Sequence, residues 1–147
     1  MESNVKLISL IAFAALIGVV IYLTVNRMVF ATNPVFIAIQ VLAVLLMVWA
    51  RITFGTRSFH AAANPTAGGL VTNGPYRYIR HPIYAAILFF FGATLVDHWS
   101  VLNGAILMIV VGALLARALS EEQLIRMRYP EYVDYALRTK RFVPDVW

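Results

Sequence analysis

The chain has 147 residues, of which 61% are hydrophobic and 13% charged, with a mean hydropathy of +0.78; soluble domains carry about 25% charged residues, so a water-soluble globule is excluded and lipid is the expected solvent. No cysteine is present, which excludes a disulfide, a thiol nucleophile and a cysteine metal site. The net charge of +5 sits beside apolar runs and not in a soluble basic domain, so it speaks for membrane topology and against nucleic-acid binding.

The first apolar run, Leu7 to Val25, is uncharged throughout. It has the length of a helix crossing a ~30 Å hydrocarbon core at ~1.5 Å per residue. Its basic flank is Lys6 alone and no small-residue cleavage site follows, so we read a retained span and not a signal peptide. The second run, Pro34 to Ala50, holds one strongly polar residue, Gln40, and opens on a proline suited to a first helical turn. Residues 51–81 change character. Arg51, Arg57, His60, Arg77 and Arg80 mix there with Pro65, Gly68, Gly69, Gly74 and Pro75, which predicts a polar connection with turns.

The third run, Pro82 to Val96, is short for a full crossing. Asp97-His98-Trp99-Ser100 reads as a tight turn into the fourth run, Val101 to Ala116, so the third and fourth runs form a helical hairpin. Beyond it the chain becomes charged. Ser120-Glu121-Glu122-Gln123 has the form of a capping box; equally, the fourth helix simply continues out of the membrane. Leu124, Ile125, Met127 and Tyr129 lie among Arg126, Arg128 and Glu131, the pattern of an interfacial helix, which Pro130 breaks or kinks. A second short helix is expected over Glu131 to Arg138.

The expected fold is all-α, a polytopic membrane protein in one domain with about four transmembrane helices. Spans fall near residues 7–25, 34–50, 82–96 and 101–119, with a loop over 51–81 and an interfacial helical tail over 120–147. Four spans put every Lys and Arg except Arg27 on one side. By the positive-inside bias that side is cytoplasmic, and both termini lie on it.

Two polar clusters fall on that side. One is Gly74-Pro75-Tyr76-Arg77-Tyr78-Ile79-Arg80-His81-Pro82-Ile83-Tyr84 and the other is Glu121-Glu122. They stand at the two ends of the hairpin, so the topology brings them together. Arginine grips carboxylate or phosphate, carboxylates hold ammonium groups or ribose hydroxyls, and aromatic faces attract cations, sulfonium included. A zwitterionic, nucleotide-like ligand fits this inventory, and the bilayer can deliver an apolar one sideways. Each residue also has a plainer role. Arg77 and Arg80 serve as topology signals on lipid phosphates, Tyr76, Tyr78 and Tyr84 as interfacial belt residues, and Glu121 and Glu122 as a solvated helix start. One histidine with no cysteine nearby speaks against a metal site.

In order and spacing these segments resemble the integral membrane methyltransferases: the isoprenylcysteine carboxyl methyltransferases and their bacterial relatives, and more distantly the phospholipid N-methyltransferases. Residues 74–84 are similar to the G-P-Y-R-Y-x-R-H-P-x-Y signature. The likeness continues through Arg117-x-x-x-Glu121-Glu122 and Tyr129-Pro130-Glu131-Tyr132-x-x-Tyr135 to Arg138-x-x-Arg141-Phe142-Val143-Pro144. It covers residues 55–144; the first two spans match only in being apolar.

The resemblance implies S-adenosyl-L-methionine as the methyl donor, bound by Tyr76, Arg80, His81, Pro82, Tyr84, Glu121 and Glu122. It places Arg138 near the methyl acceptor, with Arg141 as the second candidate. It implies in-line displacement at the sulfonium methyl, with positioning as the main source of rate and His81 or a glutamate assisting an acceptor that must lose a proton. The acceptor would be a membrane lipid or another lipophilic or lipidated molecule. Three departures stand out: Ala86 where the family often has glycine, Tyr129-Pro130 where F-G is usual, and Thr139-Lys140 where V-P is. They weigh against the prenylcysteine enzyme more than against a methyltransferase in general. Two other classes compete. Sterol-reductase-like membrane enzymes carry a late R-H-P-x-Y element and use NADPH, but are longer. A non-catalytic scaffold accounts for the spans but not for three ordered polar motifs.

Overall fold

The computed structural model describes residues 2–55 and 69–144; Arg57, His60, Pro65 and Gly68, and the tail beyond Pro144, lie outside the described residues. The described chain forms α1 (Glu2–Val25), α2 (Pro34–Phe54), α3 (Pro82–Asp97), α4 (Val101–Arg128) and α5 (Tyr132–Arg138), with a 3-10 turn at Gly74–Arg77. Among the described residues there is no strand. Helices α1, α2 and α4 are long and apolar enough to cross a membrane, and α3 is apolar but shorter. Leu7, Ile11 and Ile21 on α1 and Val35, Leu42 and Leu45 on α2 are exposed. Apolar surface of this extent has lipid as its natural solvent, and helices satisfy their own backbone there.

The helix ends follow from local chemistry. The side chain of Asn33 accepts a hydrogen bond from the Val35 N–H at 2.9 Å, and Pro34 follows it where a missing N–H costs nothing. Ser100 caps α4 in the same way, accepting from the Asn103 N–H at 3.0 Å. Ser120 begins no new helix. It lies buried inside α4, which runs unbroken for 28 residues. Apolar residues at Ala113, Leu114, Ala118 and Leu124 keep one face of that helix buried across Ser120, which decides for the continuing helix of the two alternatives. At ~1.5 Å per residue α4 is about 42 Å long, longer than a ~30 Å core, so its charged end stands outside it. Tyr129-Pro130 ends it, and α5 follows.

The helices pack in the order α2, α3, α4, α1. Helices α1 and α2 are the outer members of this row and make no extended contact with each other. At the end of the bundle away from the polar clusters, the Asp97 carboxylate accepts from the Thr32 Oγ1 hydroxyl at 2.9 Å and from the Asn33 N–H at 3.3 Å. Gln40, the polar residue inside α2, is buried and fully engaged. It accepts from the Ala31 N–H at 2.9 Å and donates to the carbonyls of Val29 at 3.1 Å and Phe90 at 3.3 Å. A buried amide is tolerated when its groups are paired.

Candidate active site

The chain entering α3 is strapped to the tail. Ile79 and Lys140 form a parallel bridge. The Arg80 N–H donates to the Lys140 carbonyl at 2.7 Å and the His81 N–H to the Arg141 carbonyl at 3.0 Å. Pro82 then opens α3. The strap uses backbone atoms, so it does not depend on the side chains of Thr139 and Lys140. Thr139 adds a hydroxyl bond to the Tyr135 carbonyl at 2.7 Å.

Behind the strap one carboxylate gathers the cations. Glu122 is 3% exposed. Its Oε1 accepts from Arg80 Nε at 3.1 Å and from Arg141 Nε at 3.1 Å, with His81 Nε2 at 3.3 Å. Its Oε2 accepts from Arg141 Nη2 at 3.2 Å and has Arg126 at 3.8 Å. Arg80 also donates to the Ala136 carbonyl at 2.9 Å and to the Thr139 carbonyl. Glu122 is therefore the hub that joins α4, the α3 entrance and the tail.

Glu121 faces the other way, as the ~100° step between neighbouring helical residues requires. It accepts from the Tyr84 hydroxyl and pairs with Arg117 at 3.8 Å. Arg117, only 5% exposed, donates from Nε to the Tyr84 oxygen at 3.1 Å and from Nη1 to the Ser9 carbonyl of α1 at 3.1 Å. Its guanidinium lies 5.1 Å from the Phe13 ring centroid and 5.7 Å from that of Tyr84. A buried cation placed so is compensated by hydrogen bonds and aromatic faces.

These groups border a cavity of about 750 Å³. Its upper wall carries Tyr76, Arg80, His81, Tyr84, Arg117 and Glu121, with Tyr129, Tyr132 and Tyr135 beside them. Its lower wall is aliphatic and aromatic: Leu16, Ile17, Val20 and Ile21 of α1 and Ile87 and Phe91 of α3. Burial pushes the phenol of Tyr135 up to about 12 and raises those of Tyr76 and Tyr132 as well. They stay protonated at neutral pH, and Tyr135 donates to the Tyr76 carbonyl at 2.6 Å.

The structure thus brings Tyr76, Arg80, His81, Pro82, Tyr84 and Glu121 to one cavity wall. Glu122 and Arg141 meet behind that wall. Arg138 does not line the cavity; it stands on the exposed face of α5, with Nε donating to the Asp134 carbonyl at 3.2 Å. Ala86 does not line it either, but borders a separate apolar groove with Ala43, Val44 and Met47 of α2. Its methyl group therefore leaves the main cavity unnarrowed. Sequence reasoning missed Arg117 and Arg51 as wall residues. A lone arginine one turn before Glu121 in an otherwise apolar helix was the available signal, because a charge at that depth needs a purpose.

Apolar helices bordering a cavity with polar and aliphatic walls define a helical membrane protein with a candidate ligand site. Residues 26–132 match the phospholipid methyltransferase family, and the chain belongs to that family. It is a membrane methyltransferase by descent. The match takes in the α3 entrance and both glutamates, and leaves out α1, Arg138 and Arg141. No protein of curated function matches the chain.

Proposed function

We propose that the protein transfers a methyl group from S-adenosyl-L-methionine to a lipophilic or membrane-associated acceptor at the cytoplasmic membrane surface. The observation that carries this is the two-ended cavity, open to a polar ligand at the charged end and bordered by aliphatic side chains at the other. The residues fit the donor. Glu121 offers a carboxylate to an ammonium group or ribose hydroxyls, and Tyr76, Tyr84, Tyr129 and Tyr132 offer faces for a sulfonium and a purine. When bound, the donor supplies an electrophilic methyl group. The protein's part is to hold donor and acceptor in line, which is worth ~7–11 kcal/mol, and to exclude water between them.

An acceptor tail enters between α1 and α2, which do not pack together, and lies along Leu16, Val20 and Ile87. Arg138, on the exposed face of α5, guides an anionic acceptor toward the cavity rim; an Arg138→Ala protein with normal turnover would remove it from this scheme. Titration of the purified protein with S-adenosylhomocysteine and with NADPH, read as a shift in unfolding temperature, tests the whole reading. A ligand bound only by the folded state at about 100 times its Kd stabilises by ~2.7 kcal/mol. We expect that shift with S-adenosylhomocysteine alone. A shift with NADPH instead would indicate a reductase, and a shift with neither would indicate a scaffold.

A further inference from the structure

We infer that Arg51 grips an anionic group on the acceptor as it enters sideways between α1 and α2, so that the acceptor is an apolar chain bearing a phosphate or carboxylate. The inference rests on the methyl-transfer reading above and adds to it a specificity residue inside the cavity. Among the described residues, α1 turns only apolar side chains to the cavity, Leu16, Ile17 and Val20 among them, while α2 contributes Arg51 and Phe54. These two helices flank the lateral opening. An acceptor sliding in from the bilayer therefore passes a single charged side chain on its two flanks, and that side chain is a cation.

The depth suits a headgroup. Arg51 is half-buried in the last turn of α2, about 25 Å from the Pro34 end at ~1.5 Å per residue, which is near the polar boundary of a ~30 Å core. An arginine kept only for topology reaches the lipid phosphates around the bundle. Arg51 instead lines the interior, where its charge acts on the Tyr76 phenol. The charge balance points the same way. Among the described residues the wall holds three arginines, Arg51, Arg80 and Arg117, and one glutamate, Glu121. Glu122 behind the wall brings Arg141 with it, so the positive excess stands. The chain has seven acidic residues, and none lies between Arg51 and Asp97, so the connection from α2 to α3 supplies no carboxylate. The methyl donor adds a further positive charge, a sulfonium beside a zwitterionic amino acid. Like charges repel strongly in a low-dielectric site, and an acceptor that carries an anion restores complementarity. The guanidinium fork suits phosphate or carboxylate in two-point contact. Arg138, outside the cavity, attracts such a group from a distance; Arg51 fixes where it stops, with the tail along Leu16, Val20 and Ile87.

Matched single-chain probes test this. Purified protein in a maltoside detergent, saturated with S-adenosylhomocysteine, is titrated with dodecyl phosphate, dodecyltrimethylammonium and inorganic phosphate, and binding is read by calorimetry and unfolding temperature. Wild type should bind dodecyl phosphate at least about tenfold more tightly than either other probe. Equal binding of the two alkyl probes, or inorganic phosphate binding as well as dodecyl phosphate, would overturn the inference, and this comparison needs no variant. Arg51→Gln should weaken dodecyl phosphate at least about tenfold while S-adenosylhomocysteine affinity stays within about threefold of wild type. Arg51→Lys, which keeps the charge without the fork, should fall between the two, and Arg128→Gln, at an exposed site on the end of α4, should bind like wild type. Undiminished dodecyl phosphate binding in Arg51→Gln, a lysine variant no better than the glutamine one, or an equal loss in Arg128→Gln would overturn the inference. So would a matching loss of S-adenosylhomocysteine affinity in Arg51→Gln, which would assign Arg51 to the donor. Wild-type protein that binds no S-adenosylhomocysteine overturns the methyl-transfer reading; binding of it without selectivity for the alkyl phosphate overturns this inference alone.

Discussion

Arg80 Nε and Glu122 Oε1 meet at 3.1 Å across 42 residues of chain, with side chains only 8% and 4% exposed. Removing one member of a buried pair leaves the other charge uncompensated, which costs ~3–5 kcal/mol. Glu122→Ala strands Arg80 and Arg141 together, so we expect a loss of that order in unfolding free energy, measured by denaturant titration in detergent. Arg126→Ala, whose side chain is largely exposed at 3.8 Å from the same carboxylate, should cost less than ~1 kcal/mol.

The Tyr84 hydroxyl is shared by Glu121 and Arg117. Tyr84→Phe keeps the ring and its stacking on His81 but releases both charged groups. Hydrogen bonds to charged partners are worth ~1.5–3 kcal/mol. We expect the unfolding midpoint to fall, and S-adenosylhomocysteine to bind at least about tenfold more weakly, as thermal scans and calorimetry would show.

Gly74 opens the 3-10 turn with φ +55°, and a Cβ built there would lie 2.5 Å from Thr53 Oγ1 of α2. Gly74→Ala should therefore destabilise twice over. The left-handed backbone costs an L-residue ~1–2 kcal/mol, and the clash adds to it. Adding Thr53→Ala should recover the clash part only, which a double-mutant cycle of unfolding free energies would separate.

Tyr135 gives an alkaline signature. Burial lifts its ionisation to about 12 from an ordinary value of about 10. The folded state holds the proton more tightly than the unfolded one, so this stability is complete below about pH 10 and is lost as pH rises toward 12. One such group contributes ~3 kcal/mol over that window. Tyr135→Phe should flatten the fall by one proton's slope in unfolding measured against pH.

The absence of native cysteine makes the topology directly readable. Trp99 is 67% exposed at the α3–α4 turn, and Val133 is 52% exposed on α5. With single cysteines at these positions, a membrane-impermeant maleimide should label Trp99→Cys in right-side-out vesicles and Val133→Cys in inverted ones. The reverse pattern would invert the proposed orientation.

Much of the bundle was legible because hydropathy reports directly on lipid exposure. The runs at Pro34 and Pro82 announced their own starts, each proline standing at a first helical turn. The end of α4 was legible in Pro130, but the role of Ser120 was not: the capping pattern and a continuing helix weighed equally in the sequence, and burial of Ala118 and Leu124 on one face decided for continuation. In the site, sequence order brought Arg80, His81 and the two glutamates to one end of the hairpin. It did not say that Glu121 borders the cavity while Glu122 stands behind it, because that depends on the rotation of α4. Nor did it show Arg117 reaching Ser9, a contact between helices more than a hundred residues apart that only packing creates.

The strap between residues 79–81 and 140–141 has a consequence for biosynthesis. Both tail residues follow every bundle helix in chain order. A nascent chain can have its helices inserted while His81 and Arg80 still lack the backbone carbonyls that seat them. The backbone seat of Arg80 and His81 is therefore completed last in chain order, when residues 140–141 fold back onto the entrance of α3.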